Sequence, residues 1–418
     1  MLTPIDPDAP FVHDAWKNWV KANSQPIRSL TSANYTDLSF LTEYLTGARL
    51  VQMGEIVHGA SKQNAVRVRI IKFLHEEMGF NVVAFETGFY EAYFSNKDLT
   101  NMSDIKALEN SISGRWSTPE LLDLIHYLKD TQATGNPLFI SGFDVRPSTE
   151  MILSRPDYFR DIMLKVDSSF AEDIFIADSS IVLFYNYLFS ESVRAYITAN
   201  YVELVEKYNM LVEHITNNET LLLSYYTEEE YNVAKACAES ARIAIDNLKG
   251  GNYYLRDMQM AETVKFLAYE LFENEKIIIW AHNEHILENS DAVQHSNGNS
   301  AFGTMMGTWF KQEFGEALFS IGSFSYRGTV NASGPIVTLE VNTPNCLEVI
   351  LYNTRKKYCF IDFSMESYET GNSWLFTNIQ QTRFHRTGNY QIFYKPSEQF
   401  DGVLFIDTEN PPTYLLLE

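Results

Sequence analysis

Leu50–Gly59 reads LVQMGEIVHG. An apolar run ends at Gly54 and is followed at once by Glu55 and, three residues on, by His58, the order of a buried strand, a turn and then chemistry. Two other stretches repeat this grammar. Lys276–Ile286, KIIIWAHNEHI, runs apolar and stops at His282 and His285, and Asn81–Glu86, NVVAFE, ends on Glu86. Three apolar runs that each end in titratable groups organise the chain.

Working outward, Arg49–Met53 is the first strand of this pattern. From Lys62 to Glu77, Val66, Ile70, Phe73 and Leu74 mark one face of a helix, and Gly79 stops it before a strand containing Val82, Val83 and Phe85. Such strand–helix–strand units build parallel sheets. Pro119–Leu128 adds a helix with proline in its first turn, and Pro137–Gly142 adds a strand. Helical spacing also marks Trp16–Ala22, Asp37–Leu45 and Thr304–Phe314, and strands return at Lys276–Ala281, Ala317–Ile321, Tyr358–Phe363 and Gly402–Asp407. The expected class is α/β, a mainly parallel central sheet flanked by helices. From Arg155 to Asn247 the texture is helical and rich in Tyr and Phe, and a further helix follows at Asp257–Phe272. The expected organisation is an α/β catalytic core at 1–147 and 255–418, with a helical insertion at 148–254 covering the active cleft.

Length and charge set limits. A chain of 418 residues exceeds the ~100–200 residues of one domain. Its hydrophobic content of 45% suits a packed protein, and a formal charge of −22 from 54 acidic and 32 basic side chains opposes nucleic acid and anionic lipid as partners. Cys237, Cys346 and Cys359 show no C-x-x-C spacing, so neither a disulfide framework nor a thiolate zinc site is expected. The opening MLTPIDPDAP lacks the basic and apolar regions of a signal peptide. A soluble, cytoplasmic protein is the expectation.

In an open parallel sheet, ligands sit outside the carboxyl ends of the strands. Glu55, His58, Glu86, His282 and His285 all follow strand-like runs, Asp144 in GFDVR joins them as a substrate-binding candidate, and Arg67 lies on the helix after His58. Each has a plainer structural explanation: a loop histidine, a Glu55 that favours a helix N-terminus, an Arg67 that is a surface charge or a partner for Glu86. Jointly they favour hydrolysis. A neutral histidine held by a carboxylate takes a proton from water near pH 7, since imidazole titrates at ~6.5. A second histidine or an arginine would stabilise the oxyanion or protonate the leaving alkoxide. No G-x-S-x-G elbow, P-loop or H-E-x-x-H pattern is present. Glu-x-x-His plus His-x-x-His plus Glu is also a donor set for zinc, iron or manganese, so water alone and metal-bound water both stay open.

The blocks Gly54-Glu55-x-x-His58-Gly59, Arg67, GFNVVAFE ending at Glu86, GFD at Gly142–Asp144, RDMQMAE at Arg256–Glu262, WAHNEH at Trp280–His285 and MGTWFKQEFG at Met306–Gly315 resemble the erythromycin esterase family, with a weaker echo in FIDTENPP. The resemblance runs from about residue 50 to 328. It implies hydrolysis of the lactone ester of 14-membered macrolides, and hence macrolide resistance. It also implies His58 as general base, Glu55 as its orienting carboxylate, and Arg67, Glu86, His282 and His285 as further active-site groups. It implies a macrolide as the small-molecule partner; no cofactor is expected, with a bound divalent metal left open. Glu284 departs from the small residue that relatives often carry, and an acid between two histidines would raise their pKa or strengthen a metal site. The alternatives are a metal-assisted hydrolase of another ester or amide and a non-catalytic relative that binds a hydrophobic ligand.

Overall fold

The structure is a computed structural model describing residues 9–185, 190–364, 367–384 and 389–415, so most of the opening MLTPIDPDAP lies outside the described residues. Its strands are β1 (Ser24–Pro26), β2 (Leu50–Met53), β3 (Phe80–Gly88), β4 (Phe139–Asp144), β5 (Lys276–Trp280), β6 (Gln294–His295), β7 (Leu318–Asn331), β8 (Ile336–Thr338), β9 (Tyr358–Asp362), β10 (Ile379–Arg383), β11 (Tyr390–Tyr394) and β12 (Gly402–Glu409). Packing separates two units: one holds residues up to 83, 115–138 and from 275 on, and the other holds 84–114 and 139–274.

The first unit carries most of the sheet, in the order β1-β9-β12-β7-β2-β5 and then the first half of β3. β2 is parallel to β5 on one side and to β7 on the other, and β12 is parallel to β7. β9 pairs antiparallel to β12, and β1 to β9, at one edge. The expected class therefore holds: an α/β protein with a mostly parallel sheet flanked by helices. Every residue of β2 is buried, which is why LVQM reads apolar rather than alternating. Burying Leu50, Val51 and Met53 contributes about 1.5–3 kcal/mol each. The polar exception, Gln52, directs its amide nitrogen to the Ser320 hydroxyl at 2.6 Å and the Ile286 carbonyl at 3.1 Å.

The expected helix after His58 spans Ser61–Met78. Gly79 ends it with φ of 69°, a left-handed conformation that any Cβ disfavours. At its start the Glu409 carboxylate accepts from the backbone N–H of Lys62 at 2.7 Å and of Gln63 at 3.3 Å, satisfying donors that have no partner within the helix. β7 runs ten residues beyond the expected Ile321, to Asn331, because it leaves β2 there, continues along β12 to Gly328 and then pairs with β8. The helix expected at Asp37–Leu45 shrinks to Leu41–Tyr44: the Asp37 carboxylate is drawn to the Arg69 guanidinium at 2.6 Å and holds a loop instead.

The second unit is mainly helical: Arg155–Val166, Ser168–Val182, Glu191–Asn217, Glu228–Gly250 and Tyr253–Phe266, together with β4 and the end of β3. The helices expected across 148–254 all lie in it, and its packing also takes in 84–114, 139–147 and 255–274. Phe159, Phe170, Tyr208 and Tyr231 of this aromatic-rich stretch are buried core. The helix expected at Asp257–Phe272 ends in a π-helical turn at Leu267–Leu271. Among the described residues, no helix is long and apolar enough to cross a membrane.

Candidate active site

β2 delivers its chemistry through Gly54. A Cβ at this position would meet the Asn283 amide oxygen at 2.0 Å, so only glycine lets the β2 and β5 extensions come together. Asn283 is fixed there: its backbone N–H donates to the Glu55 carbonyl at 2.9 Å, its side-chain amide donates to the Ser323 carbonyl at 2.8 Å, and its amide oxygen accepts from the Ser323 N–H at 3.0 Å.

Glu55 is wholly buried. One oxygen accepts from His58 Nδ1 at 2.6 Å, the other is paired with the Arg67 guanidinium, and the Trp116 indole N–H reaches both, at 3.2 and 3.3 Å. Burial alone would push the Glu55 pKa up. The Arg67 charge and the hydrogen bond from His58 outweigh it and hold the carboxyl below its usual range, so Glu55 is an anion. An anionic carboxylate only accepts, so the hydrogen on His58 sits on Nδ1 and the lone pair of the neutral ring sits on Nε2. That is the tautomer of a general base, set by a neighbour rather than by the ring itself.

Arg67 reaches this position from the second turn of the Ser61–Met78 helix. Its guanidinium lies 3.6 Å from the centre of the Trp280 ring and also donates to Asn64 at 2.9 Å and to the Gln63 carbonyl at 3.3 Å. It has no exposed surface. One expectation is corrected here: Arg67 is not a surface charge but a buried partner of Glu55.

His282 follows β5. Its ring centre is 5.8 Å from that of His58, and the His58 ring meets the Trp116 ring edge-on at 5.0 Å. The Ile56 carbonyl lies 2.8 Å from His282 Nε2 and the Glu284 N–H lies 3.3 Å from its Nδ1. A carbonyl accepts and an amide donates, so Nε2 bears the hydrogen. His58 and His282 each keep 17% of the side chain exposed, unlike Glu55. His285 closes the turn through its backbone, donating to the His282 carbonyl at 3.0 Å and accepting from Gly307 at 2.6 Å, and is buried. Glu284 forms a bidentate pair with Arg383, so its charge is not left facing two histidines alone. Among the described residues, no group of three or more His, Cys, Asp or Glu is arranged to hold a metal ion. The oxygens of Glu55, part of the donor set read from the sequence, are already engaged.

Glu86 and Asp144 belong to the second unit. Arg256, wholly buried on the Tyr253–Phe266 helix, joins them: it donates to Asp144 at 2.9 and 2.6 Å and to Glu86 at 2.7 Å. Burial opposes ionisation of Asp144, yet Arg256 outweighs it and keeps the pKa low. Asp144 is thus held ionised, and Glu86 is paired with the same guanidinium in a compact triad. The sequence reading singles out neither Trp116, beside Glu55 and His58 in the first unit, nor Arg256, beside Glu86 and Asp144 in the second. The signal for Arg256 was its place in RDMQMAE, whereas nothing in GRWSTPE sets Trp116 apart from a core tryptophan.

Comparison with known proteins gives a consistent picture. The chain is 27% identical over 429 residues to "Putative hydrolase YbfO" of Bacillus subtilis (strain 168), covering 95% of this chain and 91% of that one. It is 22% identical over 352 residues to erythromycin esterase type II of Escherichia coli, covering 77% and 80%. Among solved structures, a mutant of erythromycin esterase EreC in its open conformation shares the fold with a TM-score of 0.68 at 15% identity, covering 94% of this chain and 99% of that one. The family model described as erythromycin esterase matches residues 75–409, most of the length, and the chain therefore belongs to the erythromycin esterase family.

Proposed function

We propose that this protein is an esterase that opens the lactone of 14-membered macrolides with His58 as general base, and so protects a cell from these antibiotics. Membership of a hydrolase family supports the reaction class. The observation that carries the mechanism is the 2.6 Å contact between the buried Glu55 anion and His58 Nδ1, which leaves Nε2 as the basic atom of a partly exposed ring.

His58 Nε2 takes a proton from water as the water oxygen bonds to the lactone carbonyl carbon. The imidazolium that forms is stabilised by Glu55, which stays ionised through Arg67. The tetrahedral intermediate then collapses, its bond to the ring oxygen breaks, and that alkoxide takes the proton back from Nε2. The product is an open hydroxy acid, heavier than the substrate by one water. His282, with both ring nitrogens engaged, packs its ring beside that of His58 and helps to hold the base in place.

The test is incubation of the purified protein with erythromycin and related 14-membered lactones, following mass. Gain of one water, lost in His58→Gln by about 10²–10⁴-fold with folding intact, is expected. Absence of hydrolysis across the macrolide series would refute the substrate, and near-normal turnover by His58→Gln would refute the base.

A further inference from the structure

The end of the described chain is tied to both supports of Glu55. Glu409 caps the first turn of the helix that carries Arg67, the Asn410 carbonyl accepts from Ser61 at 2.9 Å, and the Lys62 ammonium donates to the Thr408 carbonyl at 2.6 Å. Five residues on, the Leu415 N–H donates to the Ser117 carbonyl at 2.8 Å. Ser117 follows Trp116, whose indole holds Glu55 and whose ring lies 5.0 Å from His58. Asn410–Leu415 is thus a strap with one anchor on the Arg67 helix and the other on the Trp116 loop.

Tyr414 is the residue before the second anchor. It is 37% exposed, whereas Trp116 is fully buried. Its phenol lies in the field of the Glu55 carboxylate: burial first, and then the Glu55 charge, raise its pKa above the ordinary value. At neutral pH it is therefore a hydrogen-bond donor, not an anion.

We propose that Tyr414, held by the C-terminal strap beside the Glu55–His58 pair, contacts the substrate and donates a hydrogen bond to the acyl oxygen on which negative charge develops. The inference rests on the general-base reading of His58. It assigns the oxyanion a donor that Arg67, wholly buried, does not supply. A donor aimed at developing charge lowers the barrier more than it tightens substrate binding, so the hydroxyl governs kcat more than KM.

Two measurements test it. Cys237, Cys346 and Cys359 are all buried, so Tyr414→Cys presents one reactive thiol. Labelling that thiol with a bulky maleimide should slow diethyl pyrocarbonate modification of His58, read by peptide mass, at least about fivefold relative to the unlabelled variant. Unchanged His58 reactivity places Tyr414 away from the pair and overturns the proposal. This arm needs no substrate, so it decides the position of Tyr414 even if no ester is turned over, an outcome that would count against the esterase reading instead. Where an ester is hydrolysed, Tyr414→Phe should lower kcat by about 10- to 100-fold with KM within about twofold, at unchanged thermal stability. A kcat equal to that of the parent protein overturns the oxyanion role.

Discussion

Replacing Arg67 by methionine tests whether its purpose is to keep Glu55 ionised. The substitution keeps an apolar stem against Trp280 and removes the cation, so Glu55 is left fully buried with only Trp116 and His58 as partners. Breaking one side of a buried ion pair costs about 3–5 kcal/mol, because the remaining charge keeps its desolvation penalty. Loss of stacking on Trp280 adds at most about 2 kcal/mol. With its largest opposing influence gone, burial drives the Glu55 pKa upward. A protonated Glu55 can donate, and His58 Nδ1 can then become the acceptor. That places the hydrogen on Nε2, and activity should fall by about 10²–10⁴-fold. The double variant Glu55→Gln, Arg67→Met buries no charge and should recover about 2–4 kcal/mol relative to the sum of the single losses while staying inactive. Urea unfolding of the four proteins at neutral pH completes the cycle. Single effects that add to within about 0.5 kcal/mol would show that the two residues do not act as a pair, and would refute the reasoning. The pH dependence offers a second check. The folded pKa of Glu55 is depressed, so the stability it contributes is present above its unfolded value of ~4.3 and is lost as pH falls through the folded value. Arg67→Met should lack that acid-side loss.

Trp116→Phe keeps the ring beside His58 but removes the N–H shared by the two Glu55 oxygens, and should lower kcat about tenfold while costing about 1–2 kcal/mol of stability, read by steady-state kinetics and urea unfolding. Gly54→Ala drives a methyl into Asn283 and should cost about 1–3 kcal/mol with loss of activity, since the β2–β5 seam must part to admit it; an active protein of unchanged stability would show that the seam yields. Glu348 is wholly buried, with the Thr382 N–H donating to it at 2.8 Å, and burial raises its pKa to about 7. Its folded value lies above the unfolded one, so stability is lost as pH rises from ~4.3 to about 7 and then levels off. Glu348→Gln should remove that loss, gaining on the order of 3 kcal/mol at pH 8 relative to its effect at pH 4. Thermal melts at both pH values decide, and parallel shifts would refute the assignment.

What the sequence disclosed was governed by burial. β2, β5 and the helix between β2 and β3 were legible because parallel strands covered on both faces read as continuous apolar runs, and because Gly54 and Gly79 mark their ends. Glu55, His58 and His282 stood out for the same reason: each lies within five residues of the end of such a run. β6, β8, β10 and β11 were not, being two- to five-residue antiparallel strands with mixed burial, too short to establish a period. The far half of β7 was hidden because GSFSYRGTVN alternates small, polar and aromatic residues while its buried faces depend on β12, some eighty residues later. Pairings across such distances leave no local trace: Arg67 with Glu55 is twelve residues apart, but Arg256 with Glu86 is 170 and with Asp144 is 112. A carboxylate at a strand end looks alike in sequence whether it faces substrate or a buried arginine.

The topology explains why the chemistry gathers where it does. From β2 the chain crosses through the Ser61–Met78 helix to β3, which lies on the far side of β5. From β5 it crosses the other way, to β7 on the far side of β2. Adjacent parallel strands whose onward connections depart in opposite directions leave a crevice at their carboxyl ends, the preferred ligand site of open α/β sheets. Glu55 and His58 leave the end of β2, and His282 leaves the end of β5. The seam between them is drawn closed just below by Ala281 N–H to the Met53 carbonyl at 3.3 Å, Asn283 N–H to Glu55 at 2.9 Å, and His282 to the Ile56 carbonyl at 2.8 Å. These bonds tie the two histidine-bearing turns to each other rather than to their own strands alone. A shift of either turn therefore moves both rings, and the spacing of 5.8 Å between them is a property of the seam. Widening the seam at Gly54 should accordingly impair catalysis even though Gly54 touches neither histidine, whereas a substitution of equal bulk on an exposed face of the same unit should leave it intact.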